Sequence, residues 1–208
     1  MTGRISVSFV CLFILTGCIY REEPDLVLKQ PPAPVQPRII QPTPVPAVSQ
    51  YPAEWFPPAR IERKWTAIII HHSATKEGNA AIFDKAHREE RQWNGVGYDF
   101  VIGNGTYSSN GQVEVTYRWR QQTTGAHCGG TANNWANEEG VGICLVGDFN
   151  KTSPSEKQMQ ALAKLVQFLQ KRYGISPGRI YGHGSTPGAH STDCPGRNFS
   201  MARLKSVL

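Results

Sequence analysis

The prolines of this chain are concentrated in one segment, which limits where a folded domain can lie. Eleven of the fifteen prolines fall between residues 24 and 60, in stretches such as PPAPVQP and QPTPVPA. This composition offers too few apolar side chains for a core and favours the extended polyproline II conformation. At a rise of about 3.1 Å per residue, such a tether spans up to roughly 100 Å. Residues 61–208 remain as one domain, long enough to bury a full hydrophobic core.

Residues 1–17 have the pattern of an export signal. Arg4 precedes an apolar run at residues 5–15, which is too short to span a bilayer as a mature helix. The run ends in LTGC at residues 15–18, which resembles the bacterial lipobox, where cleavage before a cysteine leaves that cysteine to carry lipid. We therefore expect a lipoprotein signal peptide at 1–17, and a lipidated Cys18 that begins a Pro-rich tether at 18–60. Ile19, in place of Asp, favours anchoring in an outer membrane, facing the periplasm; an ordinary secretory signal is the alternative.

Residues 61–208 alternate between strand and helix patterns. The runs TAIIIHH, YDFVIGN, GVGICLVG and RIYGH are typical of strands, and Asn110-Gly111 is the expected turn of a hairpin between TYSS and QVEVTY. Helices are predicted at residues 79–93, at residues 154–173 after a capping box at 153–156, and at the C terminus. The pattern predicts a single α/β domain with a mixed central β-sheet flanked by helices.

The charge of the chain is mildly basic, with a formal net charge of +6. Lys and Arg form no block along the sequence, so we expect no nucleic-acid partner. Attraction to a polyanionic polymer of the cell envelope fits this charge equally well. We expect the domain to act as a monomer.

The five cysteines cannot all be paired. Cys11 is lost with the predicted signal peptide and Cys18 carries lipid, which leaves Cys128, Cys144 and Cys194 in an oxidising compartment. Cys144 lies in an apolar run that favours a buried free thiol, although a disulfide between Cys128 and Cys144 stays open. At least one of the other two cysteines therefore needs another use.

Three potential metal ligands lie near the ends of predicted sheet elements. His71 ends one strand, His183 ends another, and Cys194 lies in the loop that follows. Two imidazoles and a thiolate leave a fourth tetrahedral position open, which is the pattern of a catalytic zinc site. Histidines are also common as solvated or core residues. Cys194 could instead be a nucleophile, although it precedes Pro195-Gly196 in a loop rather than a helix N terminus.

Five segments, in order, resemble the zinc-dependent N-acetylmuramoyl-L-alanine amidases that share a fold with peptidoglycan recognition proteins and with the amidase-type phage lysozyme. The segments are AIIIHHSATK at 67–76, RQWNGVGYDFVIGNG at 91–105, GAHC at 125–128, GVGICLVGDF at 140–149, and GH followed by TDCPG at 182–196. The resemblance implies a peptidoglycan recognition protein-like amidase fold. It also implies a zinc enzyme that hydrolyses the amide between N-acetylmuramic acid and the L-alanine of the stem peptide, in peptidoglycan or in muropeptides, during wall turnover or remodelling.

The resemblance further implies roles for individual residues. His71, His183 and Cys194 match the zinc ligands. Tyr98 matches a catalytic tyrosine. Thr192 matches a position at which the phage enzyme has a catalytic lysine and many animal amidases have threonine.

Two more residues are expected to contact substrate. His127, in GAH, matches a cleft residue near the scissile bond. Trp135 lies in the polar stretch TANNWANEEG and is the best placed of the tryptophans for substrate contact, although tryptophan is more often a core residue.

The loop between His183 and Cys194 is longer than in many relatives and brings in His190. A solvated loop residue is the favoured interpretation of His190, and a second ligand or a proton carrier is the alternative. A non-catalytic peptidoglycan-binding module is the alternative function for the whole domain. Such modules typically lack the cysteine ligand, which this chain has.

Overall fold

The computed structural model describes residues 49–208. The predicted signal peptide, the lipidated Cys18 and nearly all of the predicted tether lie outside the described residues. Within residues 49–208, no helix combines the length and apolar character needed to cross a bilayer.

A five-stranded mixed sheet forms the centre of the domain. Its strands are β1 (Ala67–His72), β2 (Phe100–Ile102), β3 (Val113–Val115), β4 (Gly140–Leu145) and β5 (Ile180–Gly182), in the spatial order β3-β2-β4-β1-β5. β1 pairs in parallel with both β4 and β5, β2 pairs in parallel with β4, and β3 lies at the edge, antiparallel to β2. This confirms the predicted mixed α/β domain and places the carboxyl ends of β1 and β5 side by side.

Helices flank this sheet, as predicted. They are α1 (Ala80–Glu89), α2 (Tyr117–Gln121), α3 (Trp135–Glu138), α4 (Glu156–Tyr173) and α5 (Met201–Lys205), with short 3-10 turns at Ala53–Trp55, Ala59–Ile61, Ala132–Asn134, Pro177–Arg179 and His183–Ser185. The longest, α4, buries an apolar stripe that includes Leu162 and Val166 in one cluster with Ile68, Ile70 and Ile143 of the sheet. This cluster is the main core of the domain.

Helix α4 begins two residues later than the capping pattern predicts. Ser155, not Ser153, is the N-cap. The Ser155 hydroxyl accepts a hydrogen bond from the backbone N–H of Gln158 at 3.1 Å, and the side-chain oxygen of Gln158 accepts one from the Ser155 N–H at 3.1 Å. The buried Gln158 amide also donates to the Val146 carbonyl at 2.9 Å, which ties the helix start to the end of β4 and favours Ser155 as the cap. Gly174 follows the last helical residue, as predicted, in the left-handed conformation with φ of 69°.

The predicted hairpin is wrong in its first strand. β3 pairs with β2, with Phe100 opposite Val115, rather than with TYSS. Asn110-Gly111 lies within the long connection between the two strands, where Gly111 has a φ of 84°. β2 is buried along its length whereas TYSS is mostly exposed, so burial of apolar surface selects the inner strand.

Packing of the domain begins before the predicted boundary at residue 61. The Trp55 side chain is buried against Phe168, with ring centroids 5.6 Å apart, and the Trp55 carbonyl accepts from the indole N–H of Trp119 at 2.9 Å. Tyr51 also packs against Phe168, with centroids 5.1 Å apart. The end of the predicted tether is therefore part of the folded domain.

Candidate metal centre

The side chains of β1 alternate between the two faces of the sheet. Ile68 and Ile70 join the main core beneath α4, whereas Ile69 faces the opposite side. His71 follows the parity of Ile69, and His72 follows that of Ile70. His72 accepts a hydrogen bond from the backbone N–H of Phe149 at 3.0 Å, on the side away from His71, as strand alternation predicts.

Three donor atoms converge at the carboxyl end of β1. His71, at the end of β1, His183, directly after β5, and Cys194 each offer one ligand atom, and these atoms all lie within 4.8 Å of one another. The rings of His71 and His183 have centroids 4.7 Å apart, and the Cys194 sulfur lies 3.6 Å from Nδ1 of His71. The pairing of β1 with β5 explains why residues so distant in the sequence meet here.

The loop from His183 to Cys194 is closed at its base. The Gly184 N–H donates to the Cys194 carbonyl at 2.7 Å, and a Cβ at Gly184 would overlap the Thr192 carbonyl. The glycine therefore allows the two ends of the loop to approach closely enough for His183 and Cys194 to share a site.

The donor set fits a metal ion of the zinc type. His183 Nε2 is buried and has no hydrogen-bond partner among the described residues. Burial lowers the pKa of both His71 and His183, which keeps the rings neutral as metal ligation requires. Two imidazole nitrogens and one thiolate are ligands that zinc prefers, and they leave one tetrahedral position open.

Cys194 is poorly suited to nucleophilic catalysis. Burial raises the pKa of its thiol to about 12, whereas nucleophilic cysteines have lowered pKa values. A bound metal ion would instead deprotonate the thiol directly.

Cys128 and Cys144 are also free thiols, so the disulfide left open by the sequence is not formed in the described part of the chain.

Tyr98 lies beside the cluster, just before β2. Its ring centroid is 5.2 Å from that of His71, and its backbone carbonyl accepts from the Thr116 hydroxyl at 2.7 Å, which holds the residue at the start of the strand. Burial raises the pKa of the Tyr98 hydroxyl well above its usual value. A hydrogen bond with the Cys144 thiol also raises this pKa, so the hydroxyl stays protonated and keeps a hydrogen to donate.

His127 contacts the cluster through the His71 ring. Its Nδ1 lies 3.1 Å from Nε2 of His71, and its Nε2 lies 3.3 Å from the Gly140 carbonyl oxygen. The side chain is only 7% exposed, and burial lowers its pKa to about 3, so the ring is neutral. The sequence predicted a cleft residue that touches substrate, whereas the structure places this ring against a candidate ligand.

Thr192 and His190 lie in the exposed part of the loop before Cys194. The Thr192 hydroxyl accepts a hydrogen bond from the backbone N–H of Cys194 at 3.2 Å, so Thr192 is linked to the cluster through Cys194. His190 is held by its backbone N–H, which donates to the Gly129 carbonyl at 3.0 Å. The cluster of converging donor atoms does not include His190.

Trp135 makes contacts outside the cluster. Its ring centroid lies 6.1 Å from that of Tyr181. The central guanidinium carbon of Arg179 lies over the same ring, 5.0 Å from its centroid. Its indole N–H donates to the Pro187 carbonyl at 3.4 Å. These contacts brace the loop that leads to Cys194.

Sequence reasoning missed Asp99, a carboxyl group buried next to Tyr98. Its Oδ2 accepts from the Gly142 N–H at 2.8 Å, and its Oδ1 has no partner among the described residues. Burial raises the pKa of Asp99 to about 7. The available signal was an acidic residue inside the apolar strand pattern YDFVI, which is unusual because buried carboxylates are costly.

The sequence matches a family of known activity. A family model described as N-acetylmuramoyl-L-alanine amidase covers residues 61–197. Peptidoglycan-recognition protein LB of Drosophila melanogaster is 30% identical over 141 residues, which are 62% of this chain and 53% of that protein. The N-acetylmuramoyl-L-alanine amidase of Sus scrofa is 28% identical over 149 residues, which are 65% of this chain and 22% of that protein. The chain thus spans about half, or less, of the length of these relatives.

Solved structures agree with the fold. N-acetylmuramoyl-L-alanine amidase LysC from Clostridium intestinale URNW superposes with a TM-score of 0.58 at 26% identity, over 69% of this chain and 84% of that chain. Wild-type Drosophila PGRP-LB superposes with a TM-score of 0.52 at 26% identity, over 70% of this chain and 82% of that chain. Since the family model covers more than half of the sequence, the chain belongs to the N-acetylmuramoyl-L-alanine amidase family.

Proposed function

We propose that this chain is a zinc-dependent N-acetylmuramoyl-L-alanine amidase, which hydrolyses the amide between N-acetylmuramic acid and the L-alanine of the stem peptide. The observation that carries the proposal is the convergence of His71, His183 and Cys194, with Nε2 of His183 buried and unpartnered within the described residues. Two histidines and a cysteine, with one position left for water, suit zinc in a hydrolytic site. Membership of the amidase family supports peptidoglycan or a muropeptide as the substrate.

The residues around the site have distinct tasks in this proposal. Zinc, when bound, supplies an activated water at neutral pH and polarises the scissile carbonyl. His71 and His183 bind the metal as neutral rings, because burial lowers the pKa of each, and Cys194 releases its proton on binding. Tyr98 keeps its hydroxyl proton and donates a hydrogen bond to the carbonyl oxygen as negative charge grows there. One such donor contributes about 3 to 4 kcal/mol to the lowering of the barrier.

Thr192 is proposed as a second donor at the mouth of the site. Its hydroxyl oxygen accepts from the Cys194 N–H, so the hydroxyl proton remains free to point outward. The residue is exposed, which leaves it accessible to a polymer substrate. Thr192 would therefore help orient the scissile amide beside Tyr98.

We also propose that the protein works as a lipid-anchored monomer at the outer membrane, facing the periplasm. The LTGC sequence that ends in Cys18, and the Pro-rich segment that follows it, support this location. An extended Pro-rich tether would let the domain reach a wall polymer that lies away from the membrane surface. The positive net charge favours approach to such a polyanionic polymer.

Product analysis tests the proposed activity. Purified protein with zinc is incubated with peptidoglycan sacculi, and the soluble products are identified by mass spectrometry. We expect stem peptides with a free N-terminal alanine and glycan that retains the lactyl carboxyl group. The His183→Ala protein should release none, because the cluster then lacks one ligand.

Peptidoglycan binding without hydrolysis is the competing outcome. Relatives named peptidoglycan-recognition proteins make this function a reasonable second candidate. Wild-type protein that sediments with sacculi, retains no zinc and releases no peptide would establish binding alone and overturn the proposed activity.

A further inference from the structure

The His127 ring occupies a slot that glycines keep open. A Cβ at Gly142 would overlap the ring, and a Cβ at Gly125 would lie 2.6 Å from its Cδ2 atom. The backbone N–H of His127 donates to Oδ1 of Asn137 at 2.8 Å, which fixes the residue from its main chain. The ring therefore has one well-defined position, between β4 and His71.

The partners of the His127 ring set the direction of its hydrogen bonds. The Gly140 carbonyl can only accept, so Nε2 of His127, at 3.3 Å, must carry the hydrogen. A neutral imidazole has one N–H, which makes Nδ1 of His127 an acceptor. A doubly protonated ring would place a buried positive charge beside the metal site, at a large cost.

The acceptor on His127 then decides the state of His71. Nε2 of His71 lies 3.1 Å from this acceptor and must donate to it. The lone pair of His71 is thereby confined to Nδ1, the atom that lies 3.6 Å from the Cys194 sulfur. The tautomer that can bind a metal between His71 and Cys194 is thus selected before any metal arrives.

We propose that His127 is a positioning residue. It holds His71 in the tautomer that has a hydrogen on Nε2 and leaves Nδ1 of His71 free for the metal. The Gly140 carbonyl is the last acceptor in this chain of hydrogen bonds. This inference rests on the proposed metal site but not on the reaction performed there. It replaces the expectation that His127 contacts substrate, since the ring is 7% exposed and both of its nitrogens have partners in the protein. Outer hydrogen-bond partners of this kind typically change metal affinity by about 10- to 100-fold.

Zinc affinity provides the first test. Full-length protein is titrated with zinc in competition with a chromophoric chelator, with no peptidoglycan present. His127→Leu fills a similar volume without an acceptor, so its affinity should fall by about 10- to 100-fold. His127→Asn should recover most of the affinity, because the asparagine oxygen takes the place of Nδ1. Unchanged affinity in His127→Leu, with a raised KM for muropeptide, would show a substrate contact and overturn the proposal.

The tautomer itself provides the second test. Long-range ¹H–¹⁵N correlation spectra of the histidine rings in metal-free wild-type protein should show His71 with its hydrogen on Nε2. A hydrogen on Nδ1 of His71 would overturn the proposal, and this result does not depend on whether the variants fold. A wild-type protein that binds no zinc would refute the proposed function, whereas the spectrum would still decide the hydrogen-bond chain.

Discussion

The Asp99→Asn substitution should change how the stability of the protein depends on pH. The Asp99 carboxyl is fully buried, and burial raises its pKa from 3.8 to about 7, against the opposing effects of the Gly142 hydrogen bond and the Arg118 charge. The native state therefore keeps a proton that the unfolded chain has already released. Stability from this group is highest below pH 4 and is lost as the pH rises towards 7.

The size of the effect follows from this shift. The difference between about 7 and 3.8 is roughly three pKa units, and each unit is worth about 1.4 kcal/mol. The free energy of unfolding of the wild type should therefore fall by about 4 kcal/mol, relative to that of the variant, between about pH 4 and pH 8. Asparagine keeps an oxygen that can accept from the Gly142 N–H, and it cannot ionise.

Urea denaturation of both proteins across this pH range measures the difference. A chelator keeps both proteins free of metal, so proton release on metal binding does not enter. Glu77→Gln, which removes an exposed carboxyl, is the matched control for the loss of one negative charge. Parallel curves for the wild type and Asp99→Asn would instead show that Asp99 is already ionised in the native state at low pH, and that burial does not raise its pKa.

Three further substitutions test other parts of the structure. Gly142→Ala should weaken zinc binding in a competition titration, because the new Cβ would overlap the His127 ring. Gly178→Ala, whose Cβ would lie 3.9 Å from its nearest neighbour, should leave zinc binding unchanged. Equal zinc affinities of the two variants would contradict the proposal that Gly142 makes room for the His127 ring. Tyr98→Phe should lower kcat by about 100- to 1,000-fold with unchanged zinc content, and full activity would exclude the proposed donor. Trp55→Ala should destabilise the protein by about 3 to 5 kcal/mol in thermal or urea unfolding, and an unchanged midpoint would show that this segment does not belong to the core.

Much of the sheet and of the candidate cluster could be predicted from the sequence. Continuous apolar runs identify β1 and β4, because strands buried on both faces need apolar side chains at every position. His71 and His183 follow such strands directly, and Cys194 follows in the next loop. The parallel pairing of β1 with β5 then brings the three residues together.

Other features depend on contacts that no local pattern contains. Ser153 and Ser155 are both suitable caps, and the choice is made by Gln158, whose amide bonds to the end of β4. The strands β2 and β3 have only three residues each, too few to give a clear period, so the sequence predicts TYSS as the partner of β3 in place of β2.

The contacts of the His127 ring could not be predicted from the local sequence either. Its ring is placed by Gly140 and Gly142, which lie on a strand later in the chain, so the GAH segment alone could not reveal a bond to His71. Glycines on a central strand were the available signal, since they allow another side chain to approach the backbone closely.

The proposed hydrolysis requires a zinc ion held by His71, His183 and Cys194. Removing metal from the purified protein, adding zinc back in steps, and measuring by mass spectrometry the stem peptides that are released from sacculi tests this requirement. We predict no release without metal, and release that rises with added zinc and levels off at one zinc per chain, with no recovery in Cys194→Ala. Peptide release that is unaffected by metal removal, or that the Cys194→Ala protein retains in full, would contradict this requirement.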